Sequence, residues 1–83
     1  MEILRTTPSS ILVGYKDMAV KLFGESFARG YGSPDFIIHS SSVTHGSDVR
    51  TGQEIALTDA ERDEIILFVL TALRKKGWSI ESE

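Results

Sequence analysis

The chain has 83 residues, a net charge of −3 and no cysteine, with 41% apolar and 25% charged residues. This length holds one domain, and the composition is that of a folded chain rather than a disordered one. The charge balance disfavours direct DNA or RNA binding, and the lack of cysteine removes disulfides and thiolate metal sites, as suits a reducing compartment. No basic segment followed by an apolar run opens the sequence, so no secretory signal is expected. The longest apolar run, residues 65–70, is too short to cross a bilayer. A cytoplasmic protein with no membrane contact is the expectation.

Residues 2–6 read as a first strand with Ile3 and Leu4 as its apolar positions, and Thr7, Pro8 and Ser9 break it. Residues 11–15 and 18–23 read as a hairpin turning at Lys16 and Asp17. A tight turn there opposes Tyr15 to Met18, Val13 to Val20 and Ile11 to Leu22, and facing partners share a side. That register yields one nearly pure apolar face, which marks the side turned to the core. The other face carries Leu12, Gly14, Ala19, Lys21 and Phe23 and is mixed. Lys-Asp lacks the glycine or asparagine that tight hairpins prefer, and a short helix over residues 16–23 is the alternative.

Residues 24–35 read as a glycine-rich connection. Gly30-Tyr31-Gly32 is not a phosphate loop, because no lysine with serine or threonine follows and no helix begins there. Residues 36–39 form a short apolar run expected as a strand. Residues 40–53 are polar and loop-like, with a strand segment expected around Val43. Residues 54–57 are a short extended piece leading to a helix.

The helix over residues 58–78 carries its own boundaries. Thr58 and Glu61 form the T-x-x-E capping box. Asp59, Glu61, Asp63 and Glu64 occupy the positive end of the helix dipole, and Arg74, Lys75 and Lys76 the negative end. Gly77 suits a left-handed C′ position, with Trp78 packing back on Leu73 in a Schellman ending. At about 100° per residue, Arg62, Ile65, Ile66, Phe68, Val69, Ala72 and Leu73 share the core face. Leu70 lies on its flank, and Asp63, Leu67 and Arg74 point away. After the helix, residues 78–82 alternate as a terminal strand with Trp78 and Ile80 inward. The fold class is α+β: a small antiparallel sheet of about four to five strands with one long helix packed across one face.

No catalytic constellation stands out. His39, His45 and Asp48 are the nearest approach to a metal cluster, but a metal site needs three or four ligands with supporting contacts, and two unrelated histidines explain the pattern better. Ser40, Ser41 and Ser42 lack a G-x-S-x-G context and a third partner group. Asp59 and Asp63 are explained by the helix N-terminus. The reading is therefore a non-enzyme without cofactor or metal. Loops on a rigid scaffold commonly carry binding, and residues 47–54 hold carboxylates that no helix end explains. Asp48 and Glu54 are the expected charged partner contacts, with His45 and Arg50 beside them. Leu67, a leucine on the solvent side of the helix, is the next candidate.

The order of elements resembles the small α+β immunity proteins of bacterial polymorphic-toxin and contact-dependent growth-inhibition systems. The likeness rests on residues 11–24, on 54–66 with its sequence EIALTDAERDEII, and on 75–80 with its Lys-Lys-Gly-Trp exit. Where that family would carry a Trp-Asp-Pro type stretch, this chain has Val43-Thr44-His45-Gly46-Ser47-Asp48. The resemblance implies an immunity protein that binds and neutralises one cognate toxin domain, foremost a nuclease, in the cytoplasm, as a monomer or weak homodimer. The alternative is a small phage- or host-encoded regulator of another protein.

Overall fold

The computed structural model describes residues 1–27 and 35–83. Most of the expected connection, including Gly30, Tyr31, Gly32 and Pro34, lies outside the described residues. The elements are β1 (Glu2–Thr7), β2 (Ser10–Tyr15), β3 (Met18–Ser26), β4 (Phe36–Ile38), a 3-10 turn (Ser40–Ser42), β5 (His45–Asp48), β6 (Glu54–Ala56), α1 (Asp59–Lys75) and β7 (Ile80–Ser82). This is a small α+β fold, with a mixed sheet and one long helix packed on it.

The central hairpin forms in the expected register, with Ile11 opposite Leu22, Val13 opposite Val20 and Tyr15 opposite Met18. All six of these side chains are buried. The turn is a strand connection, not a helix. Lys16 takes the left-handed conformation at φ 54°, which costs a side-chain-bearing residue about 1–2 kcal/mol. Its ammonium lies 5.2 Å from the Tyr15 ring centroid and 3.6 Å from Glu61 on α1.

Strand β3 organises the sheet. At nine residues it is long enough to take two neighbours along one edge. Its start pairs with β5, through Met18 opposite Asp48 and Ala19 opposite Ser47. Its end pairs with β4, through Gly24 opposite Ile38 and Ser26 opposite Phe36. Residues 24–26 are therefore strand, not connection, because β4 supplies them a ladder. The sheet runs β1-β2-β3-β4-β7, and β5 with β6 branches from β3.

Further differences come from pairing that is distant in sequence. Among the described residues there are seven strands, more than expected, because β5 and β6 form a hairpin inside the polar stretch. Val43 is not in a strand. It ends the 3-10 turn and is buried in the core cluster, and the strand begins at His45. The β4–β7 ladder is parallel, so the sheet is mixed rather than antiparallel throughout. A parallel pair needs a long crossover, usually with a helix, and the chain from β5 to α1 provides it.

Helix α1 is capped as read. Thr58 Oγ1 accepts from the Glu61 N–H at 3.1 Å, and Glu61 Oε1 accepts from the Thr58 N–H at 3.1 Å. At the other end Trp78 N–H donates to Leu73 O and Gly77 N–H to Arg74 O, each at 3.0 Å, with Gly77 at φ 90°. That is the bonding of a Schellman motif. It makes Trp78 part of the helix ending, and β7 starts only at Ile80. Ile65, Ile66, Val69 and Leu73 are buried against the sheet, while Phe68, Leu70 and Trp78 pack half-buried at its margin.

Candidate interaction surface

The helix covers one face of the sheet, and the other face follows from the register. Side chains directly opposite in a ladder share a side. Glu2, Gly14, Ala19, Ser47 and Glu54 therefore form one row across five strands. Arg5, Leu12 and Lys21 form the next. Glu25, Ile37 and Glu81 form a row beyond the switch of β3 to β4. Phe23 stands between the last two, and Leu4, in the β1 bulge, leans over Gly14. Leu4 and Phe23 are each 48% exposed, and Lys21 Nζ sits 5.7 Å from the Phe23 ring centroid. The result is an open sheet face with apolar residues set among charges.

The sequence-predicted contacts divide over this frame. His45 and Glu54 come together, lining a hollow of about 260 Å³ on the open face with Ala19, Lys21, Phe23 and Ser47. His45 Nδ1 lies 2.9 Å from Thr44 Oγ1. Asp48 sits opposite Met18 and so on the helix side of the sheet, away from Glu54. Its Oδ1 accepts from the N–H groups of Arg50 at 2.8 Å and Thr51 at 3.3 Å, which holds the β5–β6 turn in shape. Arg50 Nη2 reaches Asp17 at 3.2 Å and ties this turn to the β2–β3 turn. Leu67 is 65% exposed on the outer side of α1, in the other layer. Sequence reasoning passed over Lys21, Phe23, Leu4 and Arg5. The signal available for the first two was the mixed face of the hairpin.

The titratable groups show structural uses. Tyr15 is buried and donates its hydroxyl to Glu64 Oε2 at 3.2 Å, and burial followed by that carboxylate pushes its pKa up. The Thr58 backbone N–H holds the Glu61 carboxyl below its usual range. His39 Nδ1 lies 2.6 Å from Glu83 and its Nε2 3.8 Å from Glu25, so it joins the ends of β3, β4 and β7. Ser42 Oγ donates to His39 O at 2.6 Å and accepts from the Phe23 N–H at 3.2 Å, a fixed role between strands. Among the described residues, no group of three or more histidine, aspartate or glutamate side chains is placed to hold a metal, and no helix is long and apolar enough to cross a membrane. No family model, curated protein or solved structure matches the chain.

Proposed function

We propose that this chain is an immunity protein that binds a cognate toxin domain in the cytoplasm and blocks it by occupancy, meeting it with the open face of the sheet. The observation that carries this reading is that face itself. Exposed Phe23 and Leu4 share it with charged side chains, so it offers a protein partner both apolar contact and charge. The partner class comes from the resemblance of the strand, capping-box helix and exit strand to bacterial immunity proteins. Charge agrees with it. On this face the carboxylates Glu2, Glu25, Glu54 and Glu81 outnumber the cations Arg5 and Lys21. A nuclease cleft holds a polyanion and is basic, and complementary charge steers association and selects partners.

The test is co-expression with the toxin domain encoded by the adjacent upstream gene, followed by affinity capture and a growth-protection assay. Phe23→Glu combined with Glu54→Lys should keep the circular dichroism spectrum and lose at least tenfold in affinity, about 1.4 kcal/mol. The loss should be larger at low salt, where exposed charges are least screened. Leu67→Glu, on the opposite layer, should protect cells as well as the parent. A folded double variant with full protection moves the interface off the open face. Failure of the parent chain to bind that toxin removes the immunity reading.

A further inference from the structure

We propose that β6 is a self-association edge, through which two copies of the chain pair antiparallel about a two-fold axis at Ile55. This goes beyond toxin binding and does not depend on it. Among the described residues the sheet has free edges along β1, β6 and β7, and two of them are guarded. The register of β1 slips between Ile3 and Arg5, and such a bulge turns an edge away from flat pairing. In β7, Ser79 and Glu83 direct their backbone groups to β4, so alternation turns the backbone N–H and C=O of Ile80, whose side chain is in the core, to the free edge. Its carbonyl is taken by Arg74, whose Nε donates at 3.3 Å and Nη2 at 2.9 Å.

Among the described residues, strand β6 has no such guard. Asp48 N–H donates to Gln53 O and Leu57 N–H to Thr44 O. Alternation then turns the backbone of Ile55 to Gly46 on β5, and that of Glu54 and Ala56 to the free edge. Glu54, Ile55 and Ala56 are all exposed. Among the described residues no group bonds the outward N–H and C=O of Glu54 and Ala56.

Register favours a second copy as the occupant. Centred on Ile55, the pairing sets Glu54 of one copy opposite Ala56 of the other. The residues with outward groups then meet as hydrogen-bonded pairs, each exchanging both backbone bonds. Ile55, 39% exposed, meets its own copy on the helix side, the side on which a Cβ at Gly46 would meet Met18 and Val20. The carboxylates do not face each other. A register centred on Glu54 would oppose like charges, which destabilises a pair. One centred on Ala56 would take Ile55 away from its copy and set it against Leu57. A strand of three residues covers much less than the roughly 1,200 Å² of a stable interface, so the dimer is weak, with a Kd of about 0.1–1 mM.

The experiment is a dilution series of the ¹⁵N-labelled full chain from about 0.05 to about 2 mM, bracketing that Kd, with sedimentation equilibrium over the same range. The amides of Glu54, Ile55 and Ala56 should shift with concentration as the average mass rises toward a dimer. Ala56→Pro removes one outward N–H and leaves the Ile55–Gly46 bonds, so it should abolish both effects with the fold intact. Ile55→Lys, which sets like charges at the axis without changing the backbone, should do the same. A chain that stays monomeric at the highest concentration overturns the proposal. So do shifts centred on Phe23 or Leu67, or folded variants that still associate.

Discussion

Gly24 shows how much one residue can decide. It stands where β3 passes from β5 to β4, and its N–H donates to Ser9 O at 3.1 Å. A Cβ at this position would collide with the Ile37 carbonyl oxygen and the Phe36 ring. The carbonyl belongs to a paired strand and Phe36 is buried, so neither can swing aside. Gly24→Ala should therefore destabilise by about 1–3 kcal/mol through overpacking, read as a lower urea midpoint. Gly52, at φ 74° with open space around it, carries a different constraint, of conformation rather than room. An unchanged midpoint in Gly24→Ala would mean that β4 does not lie against β3 as described. Sequence alone marks Gly24 only as a breaker, because the atoms that crowd it come from residues twelve and more positions later.

At the scale of the element, the two ends of α1 were legible, since their signals are local. The capping box and the Schellman ending involve residues within a few positions of each other, and both formed as read. Thr58→Ala should cost about 1 kcal/mol, with Thr58→Asp tolerated. Glu61 adds a pH dependence with a definite sign. Its folded pKa lies below its ordinary value of 4.5, chiefly because its carboxylate accepts from the Thr58 N–H. Its contribution is thus present above pH 4.5 and is lost as pH falls below that through the folded pKa. Glu61→Gln can keep the cap bond but cannot titrate, so its thermal midpoint should fall less steeply than the parent's between about pH 5 and 3. Equal slopes would take Glu61 out of the acid response. The β5–β6 hairpin was not legible, and the reason is physical. His45-Gly46-Ser47-Asp48 has little strand character of its own. It is extended because β3 offers it a ladder, and Gly46 fits there because a Cβ would lie 2.9 Å from Met18 Sδ. The same non-local pairing put His45 and Glu54 on one face and Asp48 on the other, which charge pattern alone could not separate.

The whole molecule is two layers, and its stability and its proposed binding reside on opposite sides of the sheet. The core cluster joins Ile11, Val13, Val20 and Leu22 of the hairpin to Ile65, Val69 and Leu73 of the helix. A domain of this size has roughly 4–12 kcal/mol to lose at 0.05–0.15 kcal/mol per residue. Leu73 and Leu67 lie on the same helix with opposite surroundings, 2% and 65% exposed. Leu73→Ala leaves a cavity between α1 and the sheet and should cost about 2–5 kcal/mol, enough to unfold a large share of the molecules at the lower end of that range. Leu67→Ala removes a side chain from water and should stay within about 0.5 kcal/mol. Phe68 was read as a core residue and is half-buried at its margin, so Phe68→Ala should fall between the two. Urea melts of the three variants would order them Leu73, Phe68, Leu67 from most to least destabilised. A Leu67→Ala loss as large as that of Leu73→Ala would mean that the outer side of α1 is covered in solution, and a second interface would then have to be sought on the helix rather than on the sheet.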